Sequence, residues 1–327
     1  MMSDYNSNIW LYRFAKLVVG ATFILIFIGG LVTSTESGLA VPDWPTTYGH
    51  FMFSFPLSQM VGGIVYEHGH RMVASVVGML MVILAIWLWL KEPRLWVKRL
   101  GLVALFAVII QGILGGITVL FLLPTAVSVS HAALAQTFFC LTICLALFTS
   151  AEWRQSLAKA EDSHRPSLQG LTIATTAVVY VQLLLGAVMR HTKSGLAIPD
   201  FPLAFGKLIP PFDSAKIAIH FSHRVGALIV AILAIWTIAR IMRYHRQEKK
   251  LYRPAFLFAC ALVMQLTLGA LTIWTQKAVI PTTAHVATGA LILGTSLVLT
   301  LRAQRLLVVP ERVRVEGGIG EAIQEAR

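Results

Sequence analysis

Charged residues are scarce in this chain. Only 13% of its 327 residues are Asp, Glu, Lys or Arg, whereas 57% are hydrophobic, and the mean hydropathy is +0.74. An ordinary soluble domain carries about a quarter of its residues as charged side chains. The composition therefore excludes a soluble domain and predicts an integral protein of the lipid bilayer.

Cysteine is also rare, with three residues in the whole chain. Cys140, Cys144 and Cys260 fall within apolar stretches, where a thiol commonly packs as a small hydrophobic group. No cysteine pair occurs in the segments predicted to lie outside the membrane, so the sequence implies no disulfide there.

Long apolar runs dominate what the sequence does contain. They occur at 17–34, 72–90, 100–123, 125–149, 169–189, 217–239, 254–275 and 282–301. Each is near the roughly 20 residues that a helix needs to cross the hydrocarbon core. The first run lacks a small-residue cleavage site, so we expect a retained span and not a signal peptide. The prediction is an all-α membrane protein with eight transmembrane helices.

The few charges sum to +12 and are unevenly placed. If the N-terminus is cytoplasmic, 20 of the 27 Lys and Arg residues lie on that side. Five lie in outer loops, Arg190 among them, and two, Arg71 and Arg224, fall within helices. This is the positive-inside pattern of membrane proteins. The basic balance therefore predicts cytoplasmic N- and C-termini and gives no support to nucleic-acid binding.

The chain is an internal duplication. The segment TESGLAVPDWPTTYG at 35–49 reappears as TKSGLAIPDFPLAFG at 192–206. The segment QGILGGITVL at 111–120 matches QLTLGALTIW at 265–274. Because four spans return the chain to its starting side, the two halves share one orientation about an axis along the membrane normal.

Two tandem, same-orientation four-helix bundles follow from this duplication. We expect an N-terminal repeat at 1–150 and a C-terminal repeat at 169–302, each with ligands that project into its bundle core. The polar stretch at 151–168 is then a cytoplasmic linker, and residues 303–327 form a cytoplasmic tail.

Four histidines lie at matching depths in these bundles. Beyond Arg71 and Arg224, which directly follow two of them, the next charge comes 17 or 21 residues after each of His70, His131, His223 and His285. This corresponds to roughly 26–32 Å of helix, one hydrocarbon thickness. Histidine inside a bilayer is costly and usually functional. Two per repeat on facing helices suit the axial ligation of heme iron, whereas zinc would need further ligands that no nearby Cys or paired carboxylates supply.

Glu67 precedes His70 by three residues and shares its helical face. A carboxylate there would reach the edge of a macrocycle ligated by His70, although a helix-end acid favoured by the macrodipole is the simpler alternative. The second half has His220 at the equivalent position, which suggests that only the first half performs chemistry. Arg71 and Arg224 directly follow two candidate ligands and could either bind heme propionates or snorkel to the interface.

The combined motifs resemble the heme A synthase family of the bacterial cytoplasmic (inner) membrane. The resemblance rests on TESGLAVPDWP, the Glu-x-x-His-Arg run at 67–71, His131, the repeated His223-Arg224 and His285, and it covers the chain from first to eighth span. Some members carry paired cysteines in the outer loops, which this chain lacks, so no role tied to them carries over.

The resemblance implies oxidation of the C8 methyl group of heme O to a formyl group, through hydroxylated intermediates, to give heme A. It implies a heme b besides the substrate heme. We expect His70 and His131 to ligate the substrate iron and His223 and His285 to ligate heme b, with Glu67 as the catalytic group. Expected partners are heme O synthase, oxidase assembly factors and a second copy of the chain.

The reacting carbon lies on the porphyrin edge, which suits bis-histidine ligation. Electron withdrawal would make this carbon open to attack by water, and Glu67 could accept the proton or stabilise positive charge. Oxygen chemistry at the iron after loss of one ligand is the open alternative. The main rival function is a b-type cytochrome that relays electrons without modifying heme. It is disfavoured because all four candidate ligands lie on one side of the membrane. A transporter is a third option, without a mid-membrane charge or broken helix to support it.

Overall fold

The computed structural model of the protein describes residues 2–155 and 159–310. Within that part of the chain, eight helices are long and apolar enough to cross a membrane. The helices in chain order are α1 (Met2–Ser34), α2 (Gly63–Lys91), α3 (Leu95–Leu120), α4 (Thr125–Thr149), the short α5 (Ala151–Arg154), α6 (Leu168–His191), α7 (Ala215–Tyr244), α8 (Lys249–Trp274) and α9 (Val279–Leu306). The predicted all-α membrane protein with eight spans is confirmed.

The helices form two packed sets, which we call the first half (α1–α4) and the second half (α6–α9). In each half consecutive helices are neighbours and the first helix also packs against the last. Between the halves, α1 contacts α9, α4 contacts α6, and α4 contacts α9. A two-fold rotation that exchanges the halves replaces α1 by α6 and α9 by α4, so it converts the α1–α9 contact into the α6–α4 contact. The same rotation leaves the α4–α9 contact in place, so the axis passes between α4 and α9.

Small residues bring the two halves into close contact at this joint. A side-chain carbon on Gly30 of α1 would lie 3.4 Å from Val286 of α9. One on Gly294 of α9 would lie 2.9 Å from Ile143 of α4. A small apolar cluster that includes Phe139, Ile143 and Ala290 fills the space around the axis. The joint is therefore packed as a protein interior.

The helix α2 begins nine residues before the apolar run that predicted it. This extension contains Glu67, His68 and Arg71, all of which are buried. Their polar groups are satisfied by the preceding loop, so the helix can continue past the hydrophobic stretch without leaving buried polar groups unpaired.

Short segments complete the fold. Two single 3-10 turns, Met52–Ser54 and Leu57–Gln59, lie between α1 and α2. The strands β1 (Ala160–Glu161) and β2 (Leu307–Val308) pair in parallel and tie the linker to the end of α9. The tail was expected to begin at residue 303, whereas α9 continues to Leu306. Residues 311–327 of that tail lie outside the described residues.

The two ends of the molecule differ in what they carry. The end that bears the loops 35–62 and 192–214 is called the loop end, and the opposite end, with the linker, is called the linker end. Ion pairs cluster at the linker end, where Glu92 accepts from Arg94 at 2.7 Å and from Arg154 at 2.8 Å. These contacts hold the start of α3 and the short α5 together.

Candidate heme sites

All four candidate ligand histidines lie near the loop end. His70, His131, His223 and His285 are six to eight residues from the first residue of α2, α4, α7 and α9. At about 1.5 Å per residue, each ring is roughly 9–12 Å along its helix. Each of the four histidines therefore lies at a similar distance from the loop-end start of its own helix.

A glycine on the neighbouring helix faces each of these rings. A side-chain carbon built on that glycine would lie 3.1–3.2 Å from the ring Cε1. The pairs are Gly29 with His70, Gly115 with His131, Gly186 with His223, and Gly269 with His285. Any other residue would push the ring away, so the glycines allow each imidazole to lie directly on the adjacent helix backbone. Sequence reasoning missed them, although the repeat offsets of 157 and 154 link them in pairs.

Two of the rings lie in each half, and three of the four have a buried nitrogen that makes no hydrogen bond with the described residues. His70 and His131 lie on α2 and α4 of the first half, and His223 and His285 lie on α7 and α9 of the second half. The Nδ1 atoms of His70, His131 and His285 are buried without a hydrogen-bond partner among the described residues. A buried polar atom left unpaired costs about 1–3 kcal/mol, so a ligand that occupies these positions is favoured.

Two histidines per site suit a metal that brings its own equatorial ligands. Among the described residues, no group of three or more His, Cys, Asp or Glu side chains could hold a bare metal ion. Heme supplies four nitrogens and needs only two axial ligands from the protein. The donor set in each half therefore fits heme.

Glu67 is buried and both of its carboxylate oxygens have partners. Its Oε1 accepts from Arg71 Nη2 at 2.6 Å, and its Oε2 accepts from the backbone N–H of Val41 at 2.8 Å. Arg71 also donates to the carbonyls of Val41, Asp43 and Thr46. The pair thus fastens the first loop to α2, a role that the sequence did not reveal.

The second half repeats this arrangement with a different residue. His220 Nδ1 lies 3.2 Å from the backbone nitrogen of Ile198, and its Nε2 lies 3.3 Å from Arg224 Nε. A neutral imidazole accepts a hydrogen bond at only one of these two nitrogens. Arg224 also donates to the carbonyls of Ile198, Asp200 and Leu203. The geometry is matched, whereas the charge is not: Arg71 has a carboxylate partner and Arg224 has an imidazole.

These loop contacts limit what the two arginines can offer a propionate. A guanidinium has five N–H donors. Four hydrogen bonds to the protein are made by Arg71 and four by Arg224. One N–H of each guanidinium remains, so a bidentate contact with a propionate would require at least one of these hydrogen bonds to break. Propionate binding by either arginine stays a prediction.

An aspartate organises the turn in each loop. Asp43 accepts from the N–H groups of Tyr48 and Gly49, and Asp200 makes the matching contacts in the second loop. Burial would raise the pKa of Asp43, but hydrogen bonds from Gly49, Thr46 and Tyr48 outweigh it and lower the pKa to about 2. The carboxylate is therefore charged at any physiological pH and holds the turn.

The remaining histidines near the loop end take local roles. His68 is buried and its Nδ1 lies 2.9 Å from the Thr47 hydroxyl, as expected for a ring that points away from the site. His50 is exposed and lies edge-on to Phe55. His191 is the last residue of α6.

Arg190 was also expected in an outer loop but lies on α6, at the joint between the halves. Its Nη2 donates to the Gly30 carbonyl at 3.1 Å and to the Ser34 hydroxyl at 3.0 Å, both on α1. The helix continues through Arg190 because these contacts satisfy the guanidinium beside the first half.

Comparison with known proteins shows which family this chain resembles. The family model for COX15-CtaA, described as a cytochrome oxidase assembly protein, matches residues 12–297. A heme A synthase of Halalkalibacterium halodurans is 32% identical over 244 residues, which cover 71% of this chain and 77% of that protein. A heme A synthase of Bacillus pumilus is 28% identical over 284 residues, with 84% and 89% covered.

A third relative extends the similarity to nearly the whole chain. A heme A synthase of Geobacillus kaustophilus is 26% identical over 314 residues, which cover 94% of this chain and 96% of that protein. The family model alone spans both halves and all four candidate ligands. The chain belongs to the COX15-CtaA family of cytochrome oxidase assembly proteins.

Proposed function

We propose that this protein is a heme A synthase, which oxidises the C8 methyl group of heme O to a formyl group through hydroxylated intermediates. The observation that carries the proposal is a pair of matched bis-histidine sites at one depth, of which one alone has a buried carboxylate beside it. The names of the relatives and the family membership support the same reaction.

The substrate heme is assigned to the first half, between His70 and His131, because Glu67 lies one helical turn from His70. Heme b is assigned to the second half, between His223 and His285. Heme b supplies one-electron redox chemistry when bound. No carboxylate stands at the position of His220, so the second half is suited to carrying electrons and not to handling a proton.

The methyl group reacts with water in this proposal. Conversion of a methyl carbon to a hydroxymethyl carbon consumes one water and releases two electrons and two protons. Oxidation of the hydroxymethyl carbon with a second water releases two further electrons and two protons and gives a hydrated aldehyde, which loses water to become the formyl group. The electrons would leave one at a time through the second-half heme to an electron acceptor outside the protein. The role of Glu67 is to accept a proton from the attacking water. Arg71 pairs with this carboxylate at 2.6 Å and fixes its position.

The charge difference between the halves favours electron flow toward the second site. The Glu67–Arg71 pair is neutral overall, whereas Arg224 keeps its positive charge beside a neutral His220 imidazole. A positive charge stabilises an added electron, and it does so more strongly in a medium of low dielectric. The second-half heme should therefore have the higher reduction potential and draw electrons away from the substrate.

The proposed setting is the bacterial cytoplasmic membrane with both termini in the cytoplasm. Lysine and arginine residues concentrate in the linker-end segments, such as 91–99 and 240–253, which is the positive-inside signature of a cytoplasmic face. The loop end, with both histidine pairs, then lies at the outer face.

Pigment analysis tests the proposal directly. The protein should be produced in a host that makes heme O and lacks its own heme A synthase, and its pigments should be separated by chromatography and identified by mass spectrometry. Heme A or hydroxylated heme O is the expected result. Heme B alone would identify an electron-relay cytochrome instead, and absence of heme would contradict both.

A further inference from the structure

We propose that Arg190 binds a propionate of the heme held between His223 and His285. This inference rests on the proposed function only in assigning heme b to the second half. It names a binding residue for the carboxylate groups of that heme and leaves the reaction assigned to the first half unchanged.

Among the described basic residues of the loop end, Arg190 alone is neither exposed nor tied to the backbone of a loop. It is half-buried, whereas Arg71 and Arg224 already donate to the carbonyls of their loops. A charged side chain within a membrane protein is costly and usually marks a functional site. The position of Arg190 therefore favours an anionic ligand. The other four basic residues of this end are exposed, namely Lys193, Lys207, Lys216 and Lys277.

Most of the donors of Arg190 are free. Its Nη2 donates to the Gly30 carbonyl at 3.1 Å and to the Ser34 hydroxyl at 3.0 Å. Its Nε and Nη1 make no hydrogen bond with the described residues, yet neither atom is fully enclosed by protein. These two nitrogens carry three of the five guanidinium N–H groups. No carboxylate among the described residues forms an ion pair with Arg190, so its charge is also available to a ligand.

The backbone of Arg190 lies beside the first ligand candidate of the second half. Arg190 follows Gly186 by four residues on α6, so the two residues share a helical face and are about 6 Å apart along the axis. A side-chain carbon on Gly186 would lie 3.1 Å from Cε1 of the His223 ring. Arg190 is therefore one helical turn beyond that ring, toward the loop end.

The guanidinium of Arg190 extends toward the second ligand candidate. Gly30, whose carbonyl accepts from Arg190, packs against α9: a side-chain carbon on Gly30 would lie 3.4 Å from Val286 and 3.6 Å from Thr283. His285 lies between these two residues in the sequence. Arg190 thus reaches from the helix beside one candidate ligand to the place where α1 packs beside the other. A heme held by both histidines would have Arg190 at its loop-end edge.

The first half has no counterpart of this cation. The repeat offset of 157 places Thr33 where the second half has Arg190. The Thr33 hydroxyl donates to carbonyls of its own helix, at 2.8 Å to Gly29 and 3.2 Å to Gly30. The first-half loop, 35–62, contains no lysine or arginine. Arg190 therefore distinguishes the site assigned to heme b from the site assigned to the substrate.

Propionates are the anionic groups that a heme brings to a protein. A carboxylate accepts strong hydrogen bonds from a guanidinium, and their attraction is larger where water is excluded. A retained heme gains affinity from such a pair, whereas a heme that must enter and leave is better served by weaker contacts. The presence of Arg190 in the second half alone thus matches a second-half heme that stays and a first-half heme that is exchanged.

Neutralisation of the propionates tests this inference independently of turnover. Heme B is removed from the purified protein with excess apomyoglobin, and the protein is then titrated with heme B or with heme B dimethyl ester, which lacks the two negative charges. The wild-type protein should prefer heme B. Arg190→Met should reduce that preference by about 10–100-fold, as expected when a hydrogen bond between charged groups is lost. An unchanged preference in Arg190→Met would overturn the inference.

Two matched variants separate propionate binding from the contact that Arg190 makes with α1. Ser34→Ala removes one partner of Nη2 and keeps the guanidinium, and Lys193→Met removes an exposed charge three residues away. Both variants should keep the wild-type preference for heme B. A loss of preference in Ser34→Ala as large as in Arg190→Met would show that Arg190 acts by holding the two halves together, and would contradict the inference.

Arg190→Gln repeats the measurement if Arg190→Met fails to fold, because glutamine is uncharged and can still donate to α1. It should also reduce the preference for heme B, and Arg190→Lys should recover part of it. The release of heme O and heme A from the heme-loaded protein should not change in any of these variants. Faster loss of these two hemes with an unchanged affinity for heme B would assign Arg190 to the first half and overturn the inference. Failure of the proposed function appears separately, as absence of heme A from the pigment extract of the wild type.

Discussion

Glu67 and His220 occupy the same place in the two halves and lie against the same two groups. Each is next to a backbone nitrogen of the preceding loop, at 2.8 Å and 3.2 Å, and next to the arginine four residues later, at 2.6 Å and 3.3 Å. The shared role is to anchor the loop, so the difference between them lies in charge. A carboxylate can accept a catalytic proton and neutralise its arginine, whereas a neutral imidazole leaves the arginine charge uncompensated.

Glu67→Gln is expected to separate anchoring from chemistry. Glutamine keeps the size and can still accept from the Val41 N–H, so heme content should be retained. Turnover should fall by a factor on the order of 10²–10³, because one electrostatic contribution to the reacting centre is lost. Heme O or a hydroxylated intermediate should accumulate, as measured by pigment chromatography.

His220→Gln is the matched control, since it changes the equivalent anchor without touching the first half. It should leave the heme A yield much closer to the wild-type value than Glu67→Gln does. A wild-type heme A yield from Glu67→Gln would reduce Glu67 to a loop anchor.

Loss of a second-half ligand should remove heme b selectively. His223→Ala or His285→Ala leaves a single axial ligand, so the low-spin b-type signal should disappear from the optical and paramagnetic resonance spectra. The first half should still fold and bind heme, because its own helices and ligands are unchanged. Full heme b content in both variants would contradict the ligand assignment.

Alanine at the ring-facing glycines should weaken heme binding in one half at a time. A methyl group at Gly115 or Gly269 would lie 3.2 Å from the ring Cε1 of His131 or His285. Overpacking of this kind costs about 1–3 kcal/mol, which should appear as lower occupancy of the affected site.

Gly112→Ala provides the comparison, because it lies one turn before Gly115 on α3 and a side-chain carbon there meets nothing within 4 Å. Its heme content, measured per polypeptide by pyridine hemochrome analysis, should match the wild type. Equal heme loss from Gly112→Ala and Gly115→Ala would point to general helix sensitivity and not to ring contact.

Reporter fusions should establish the orientation. Fusions at residue 160 and at the C-terminus should be active on the cytoplasmic side, and a fusion at residue 200 on the outer side, because basic residues concentrate at the linker end. An outer-side signal at residue 160 would reverse the topology and place both histidine pairs at the cytoplasmic face.

The sequence predicted the parts of this molecule that depend on periodic hydrophobicity. The eight spans, the duplication and the depth of His70 and its three counterparts all follow from counting residues along helices. The partners of Arg71 could not be predicted in the same way, because they are backbone carbonyls whose directions depend on the path of an irregular loop.

Other features were present in the sequence but had no local signal. Gln111 stands at the start of a repeated segment, yet a glutamine in an apolar helix indicates nothing until its neighbour is known. Arg190 was placed in a loop because a charge usually ends a hydrophobic run. Its partners Gly30 and Ser34 lie 160 and 156 residues away along the chain, which no local pattern reports.

The close packing between α1 and α9 and between α4 and α9 bears on how the two sites communicate. Carriers built from parallel repeats work by rocking one repeat against the other, which requires an interface that slides or opens. Here Gly30 and Gly294 admit neighbouring side chains to the helix backbone, and Arg190 of one repeat holds the end of α1 in the other. We therefore expect the separation of the two histidine pairs to stay constant. In the proposed function, a rigid joint would keep the rate of electron exchange between the two sites the same throughout the reaction, since electron tunnelling falls steeply with distance.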